Sequence, residues 1–250
     1  MNKLSVVIIT YNEAANIGRC IDSVRGIADE VLVVDSFSTD NTVSIATSKG
    51  ARVLTHTFEG HIQQKNWARL QAIHPYVLSL DGDEALSDEL RTSILAAKNN
   101  FTAQGYTMNR LNYYCGEPIK TCGWYPDTKL RLWQNSAGEW RGLNPHDRFE
   151  LFNSTPQPLS GDILHNTYPT KQALLNQVDK FATISAQHLK NRSVFHLLFK
   201  LLFSAPAKFF KNYVLRLGFT SGLTGLTICF HQSREVALKY YRALKFKFAA

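Results

Sequence analysis

Three continuous apolar runs constrain the fold of this chain more than any other feature: "LSVVIIT" (4–10), "EVLVVD" (30–35) and "YVLSLD" (76–81). Each is short, rich in Val, Ile and Leu, and lacks the apolar–polar alternation of a strand with one wet face. Such runs read as strands buried on both faces. Helical patterns separate them. Ile17, Cys20, Ile21 and Val24 recur at helical spacing, with Asn12 as their candidate cap. "SFSTDNT" opens a short helix that ends at Gly50, and "ARVLTH" (51–56) reads as a further, weaker strand. Helices follow over 61–73 and over 86–98, the second opened by Ser87. Strands alternating with helices predict an α/β fold with a mostly parallel sheet flanked by helices.

The pattern changes at Gly105. "GYTMNRLNYY" and "TKLRLW" read as antiparallel strands, and beyond Lys171 the chain reads as helical apart from "GFTSGLTGLT" (218–227). Three segments are expected: 1–100, 101–170 and a helical tail over 171–250. The charge is divided unevenly. The net charge is +8, but residues 191–250 hold ten basic residues against Glu235 alone, so the tail carries +9 and the rest −1. Phe and Leu interleave with these Lys and Arg residues. An interfacial anchor on an anionic membrane fits this composition. A tail packed on the body is the other reading; nucleic-acid binding is not expected, because no nucleic-acid motif accompanies the charge. The uncharged run Leu217–Gln232 is too short and polar to span a bilayer. The four cysteines form no C-x-x-C pair and no zinc spacing, so reduced buried thiols in the cytoplasm are expected. The first apolar run is too short and β-branched for a signal peptide, so no export is expected.

In parallel sheets ligands bind outside the carboxyl ends of the strands. Here those ends carry Thr10, Asn12, Glu13, Asp35, Asp81 and Asp83. In "LSLDGDE" two aspartates and a glutamate crowd one turn. A divalent cation, Mg²⁺ or Mn²⁺, makes such a cluster tolerable, because carboxylate oxygens are hard ligands. Gly82 lets the backbone approach a ligand closely. A solvated turn whose acids favour the next helix N-terminus is the alternative.

In order and spacing, "VVIITYNEAANIGRCIDSV", "VLVVDSFSTDNT", "QQKNWA" and "LSLDGDE" resemble family 2 glycosyltransferases over residues 4 to 99. "GWYPDTKLRLW", "NPHDRFEL", "ILHNTY" and "KNYVLRLGFTSGLTGL" look like the subgroup with lipopolysaccharide core β-1,4-glucosyltransferases. The resemblance implies a GT-A fold. A Rossmann-like, nucleotide-sugar-binding half (1–100) is followed by a mixed acceptor-binding half (101–170). It also implies metal-dependent, inverting transfer from a nucleotide sugar, a UDP-hexose, to a lipid-linked glycan such as a lipopolysaccharide core. The protein would then work at the cytoplasmic face of a bacterial inner membrane.

The implied roles follow residue by residue. Thr10, Asn12 and Glu13 would line the nucleotide pocket, Asp35 would accept from a uracil-type ring N–H, and Lys65 would lie near the diphosphate. Asp81 would face the ribose or the metal, and Asp83 would bind the metal directly. Asp147 is the candidate base, with Glu139 and Glu150 as rivals; the subgroup usually reads His-Glu where this chain has His146-Asp147. His146 would orient that loop, Arg131 would help hold the diphosphate, and Trp124 and Tyr125 would offer acceptor platforms. Each residue also has a bland reading: Asp35 as a strand-end cap, Lys65 as a solvated helix lysine, Arg131 as a sheet-surface arginine, Trp124 as core, His165 as a structural histidine. A nucleotidyltransferase, the enzyme rival, would carry a Gly-rich phosphate loop, and "TYNEAANIG" is not one. The non-enzyme rival is a sugar-nucleotide-binding membrane protein with a dead site.

Overall fold

In the computed structural model, which describes residues 2–144, 146–189 and 191–248, the first apolar run is a strand buried along its whole length, β1 (Leu4–Thr10). It is followed in order by α1 (Ile17–Ser23), β2 (Glu30–Asp35), α2 (Thr42–Ser48), β3 (Arg52–Thr55), α3 (His61–Leu70), β4 (Tyr76–Asp81), β5 (Glu84–Leu86) and α4 (Asp88–Asn99). Then come β6 (Gly105–Tyr114), β7 (Glu117–Pro118), β8 (Thr128–Gln134), β9 (Gly138–Leu143), β10 (His146–Leu151) and β11 (Gln157–Tyr168). Nine strands form one sheet in the order β3-β2-β1-β4-β8-β6-β11-β5, with β7 pairing β6; β9 and β10 form a separate hairpin. The four N-terminal strands run parallel, and β8 then adds antiparallel to β4. This is the mostly parallel α/β sheet with a mixed half that the sequence implied.

Alternation along β1 explains why it is apolar throughout. Successive strand side chains point to opposite faces. Leu4, Val6 and Ile8 enter one core, covered by Ile17 and Ile21 of α1 and by Leu90 and Ile94 of α4. Val7 and Ile9 enter the other, covered by Ala68 of α3 and by Trp133, Trp140 and Phe149. The rings of Trp133 and Phe149 stack at 3.7 Å between centroids, and Trp140 meets Phe149 edge-on. Helix α4 starts where its cap predicts: Ser87 Oγ accepts from the N–H of Leu90 at 3.2 Å. Helix α1 does not. Its N-cap residue is Asn16, whereas Asn12 has φ +54° and belongs to the loop before it.

The chain divides into two compact units: Met1–Leu111 with Asp127–Asn166, and Asn112–Pro126 with Thr167–Ala250. The second unit is built on α5 (Lys171–Gln187), α6 (Val194–Phe210) and α7 (Gly222–Phe248). Between α6 and α7 lie a π-helical turn (Lys211–Leu215) and a short 3₁₀ turn (Gly218–Ser221). The Gly/Thr-rich stretch 218–227, expected to interrupt the helices, is thus itself helical throughout, 3₁₀ and then α. Leu174 and Val178 of α5 pack with Ile228 and Cys229 of α7, and Ala186 with Leu197, Ala243 and Leu244. Among the described residues no single helix is long and apolar enough to cross a membrane. All four cysteines are free thiols; Cys20, Cys122 and Cys229 are buried as expected, but Cys115 is exposed.

Candidate active site

The register of the parallel strands lines up their carboxyl ends. Thr10 of β1 sits beside Asp35 of β2, and Ile9 beside Asp81 of β4. Gly82 then folds back, donating its N–H to the carbonyl of Ile9 at 3.0 Å. A Cβ at Gly82 would lie 2.7 Å from Thr10 Oγ1, so the close approach that requires glycine is to this side chain. Thr10 Oγ1 is itself buried and has no hydrogen-bond partner among the described residues.

Asp35 is buried and ties down its own loop, accepting from the Ser38 N–H at 2.8 Å and from the Ser38 hydroxyl. Asn12 joins the same loop: its Oδ1 accepts from the N–H of Thr39 at 2.8 Å, and its own N–H donates to Ser38 Oγ. The left-handed backbone at Asn12, which asparagine tolerates, allows this exchange. Glu13 accepts from Asn16 Nδ2 at 2.6 Å, and burial raises its carboxyl above the ordinary range despite that bond.

Asp81 stands at the centre of an ion cluster. Its Oδ1 lies 3.2 Å from Lys65 Nζ and its Oδ2 3.2 Å from an Arg131 nitrogen. Burial alone would raise this carboxyl, but Lys65, Arg131 and Arg110 outweigh it and hold it well below the usual carboxylate range. Arg131 is buried and also reaches Glu84 at 3.0 Å and the Ser79 carbonyl. Despite burial, Glu84 and Asp81 raise its guanidinium above the ordinary value. Glu84 has no exposed surface, and its other oxygen accepts from the N–H of Asp81 at 2.9 Å. It thus fixes the strand-end turn while neutralising the arginine.

Lys65 is 4% exposed, which rules out an ordinary solvated helix lysine. Its ammonium lies 2.9 Å from Asp147 Oδ2 and 4.6 Å from the Trp140 ring centroid. The hairpin explains why Asp147 points inward. Asp147 and Phe149 are two apart on β10 and share a face, and Phe149 is buried. Glu150 lies on the opposite face, paired with Arg148 at 2.6 Å, and Glu139 pairs with Arg141. Of the three acids, only Asp147 joins Lys65 and, through it, Asp81.

Asp83 faces a different partner. Strand β11 pairs antiparallel with β5, placing His165 opposite Glu84, and His165 Nε2 lies 3.1 Å from Asp83 Oδ2. The Asp83 carbonyl accepts from Arg19 and from the N–H of Asn166. Trp124 and Tyr125 belong to the second unit, where Trp124 packs against Tyr168 at 5.5 Å and Lys120 lies over the Tyr125 ring. The backbone of His146 pairs with Leu143; its side chain, like Pro145, lies outside the described residues. Sequence reasoning did not single out Glu84, Arg110 or Trp140 and left His165 as structural. Glu84 was visible as the third acid of "LSLDGDE", but nothing local pairs residue 84 with 131 or 83 with 165.

The profile of the family described as glycosyl transferase family 2 matches residues 5–154, a span that includes the carboxyl ends of β1 to β4 and the Asp147 hairpin. The chain belongs to this family. It is a glycosyltransferase. An uncharacterized glycosyltransferase of Rickettsia typhi is 31% identical over 99% of this chain and 89% of its own length. The lipopolysaccharide core biosynthesis glycosyltransferase LpsC of Rhizobium meliloti is 28% identical over 88% of this chain and 82% of its own. Among solved structures, glucosyl-3-phosphoglycerate synthase from Mycobacterium tuberculosis, in complex with Mn²⁺, UDP and glucosyl-3-phosphoglycerate, is 25% identical, with a TM-score of 0.37. That overlap covers 45% of this chain and less than half, 44%, of the synthase.

Proposed function

We propose that this glycosyltransferase moves a hexose, with inversion, from a UDP-sugar to a lipid-linked glycan of the lipopolysaccharide core type, at the cytoplasmic face of a bacterial inner membrane. One observation carries the reading: the buried Lys65 ammonium joins Asp147 to Asp81, so a candidate base and a strand-end acid belong to one site. The resemblance to LpsC supports the acceptor class.

The nucleotide lies over the strand ends. The orphaned Thr10 hydroxyl and the Asn12–Ser38–Asp35 loop supply polar groups for it, with Asp35 for the base and Glu13 and Asp81 for the ribose. Lys65 and Arg131 provide two buried cations for the diphosphate. The Asp83 carboxylate is a hard oxygen ligand that suits Mg²⁺ or Mn²⁺, and the His165 imidazole beside it, a borderline nitrogen ligand, favours Mn²⁺ over Mg²⁺. No group of three such ligands occurs among the described residues, so these two, with Asp81 behind them, would hold an ion that substrate phosphates and water complete. When bound, that ion neutralises charge on the departing diphosphate.

Asp147 takes the proton from the acceptor hydroxyl as that oxygen attacks the anomeric carbon. In the free protein the Asp147 carboxylate is held by Lys65, which fixes its orientation before substrates arrive.

The test is UDP release from a panel of UDP-hexoses, with and without a deacylated core oligosaccharide and with and without chelator. Wild type should release UDP with one donor in a metal-dependent, acceptor-stimulated way, and Asp83→Ala should not. Failure of every donor, or full activity of Asp83→Ala, overturns the assignment.

A further inference from the structure

We propose that the bent pair formed by α6 and the first half of α7 is a wedge that inserts into one leaflet of an anionic bilayer. This extends the lipid-linked acceptor reading, on which it rests for the reason a membrane is needed. The observation is a set of large apolar side chains that both helices leave exposed among the described residues. On α6, Phe195, Phe199, Leu202, Phe203 and Phe210 stand at separations of three, four and seven residues and are all exposed, Phe195 by 80% and Leu202 by 66%. Such spacing places them on one helix face. On α7 and the turn before it, Phe219, Leu223, Leu226 and Phe230 repeat the pattern, with Leu223 exposed by 82%. Isolated exposed apolar residues are ordinary, but a contiguous patch of this kind marks an interaction site.

The geometry limits how deep the wedge goes. The segments Val194–Leu215 and Gly218–Phe248 together have the composition of a span but are bent by 73°. The bend is held by close backbone approach across it: a Cβ on Gly218 would come within 2.9 Å of the Asn212 carbonyl oxygen and 3.1 Å of the Tyr213 Cα. Further along α7 the chain returns to the protein, where Ala243 and Leu244 pack with Ala186 and Leu197. The pair therefore enters and leaves on the same side.

Charge selects the occupant. The sequence holds no acid between Asp179 and Glu235, while Lys200, Lys211 and Arg216 lie along the same segments, the last two exposed; Lys208 turns to the other side of α6, half-buried near Glu235. A second copy of the chain docked face to face would bring these cations against their counterparts. Anionic headgroups complement them, and acyl chains complement the Phe and Leu stripe. Insertion of this kind differs from adsorption by charge alone, because burial of apolar side chains survives screening.

Full-length protein should float with phosphatidylglycerol-containing vesicles and stay bound at about 1 M salt, where the Debye length falls to about 3 Å. The variant carrying Phe199→Ser, Phe203→Ser and Leu223→Ser should lose flotation while its release of UDP from donor in solution is unchanged. Tryptophan placed by Leu223→Trp should be quenched by lipids brominated on their acyl chains. Three results overturn the wedge: release of wild type at high salt, equal flotation of the triple variant, or a soluble dimer that the same substitutions dissociate without any vesicle binding. Flotation by a protein that turns over no donor would overturn the transfer reading and leave the wedge standing.

Discussion

Glu84 in the first unit has no exposed surface and is met by Arg131 and Arg110, whereas Lys200 and Lys211 in the second unit have no acid near them in sequence and lie along the segments that carry exposed phenylalanines. The strand-end region closes its charges upon themselves: two buried cations, Lys65 and Arg131, hold Asp81, Glu84 and Asp147 in fixed positions. The helical region pairs some of its cations, Arg242 with Asp179, but leaves Phe195, Phe199, Leu202 and Leu223 exposed. Buried ion networks of the first kind add little net stability over an apolar core, but they make each member costly to remove. The second kind costs little to change in solution and much to change at a surface it serves.

Arg131→Met is the sharpest way to break this contrast. It leaves Glu84 and Asp81 short of a buried counter-charge, and should lower unfolding free energy by about 3–5 kcal/mol in urea titrations. A loss below about 1 kcal/mol would mean the cluster is solvated and not a closed network. Asp147→Asn should act on rate instead. Lys65 keeps Asp81, so the fold and donor affinity should hold while turnover falls by about 10²–10⁴-fold. Steady-state kinetics and a donor-binding titration separate these outcomes; lost donor affinity with normal turnover would move Asp147 into the nucleotide pocket.

Phe203→Ser tests the other side of the comparison. The side chain is exposed and its ring meets that of Phe199, itself exposed, at 4.8 Å, so the substitution should change stability by no more than about 1 kcal/mol. A large loss in a thermal melt would show that the stripe packs on the protein itself.

The smallest effect is the pH dependence at Glu13. Burial raises its carboxyl in the folded state, so the folded chain holds this proton more tightly than the unfolded chain. At neutral pH the ionised Glu13 therefore weakens the fold, and the penalty fades as pH falls through the carboxylate range. Glu13→Gln should raise Tm slightly at pH 7 and not at about pH 4. Asp81 has the opposite sign: its carboxyl is held low, so its stabilisation is complete at neutral pH and lost only in strong acid.

The strands were legible because burial on both faces demands unbroken apolar runs, and β1, β2 and β4 begin and end where those runs do. Their carboxyl ends, and so Thr10, Asp35, Asp81 and Asp83, were legible for the same reason. Ser87 announced α4 because a cap is a local hydrogen bond. Asn12 misled because asparagine suits both a cap and a left-handed turn, and the choice depends on Thr39, 27 residues away. What only the tertiary structure decided are the pairings across the sheet. Lys65 meets Asp147 across 82 positions, and Asp83 meets His165 across another 82. Asp147 was preferred over Glu150 on resemblance; what the hairpin decides is position, turning Phe149 into the core and carrying Asp147 with it to Lys65. Apolar patterning is written residue by residue, but which buried charge answers another depends on strand order and register, which the whole sheet sets.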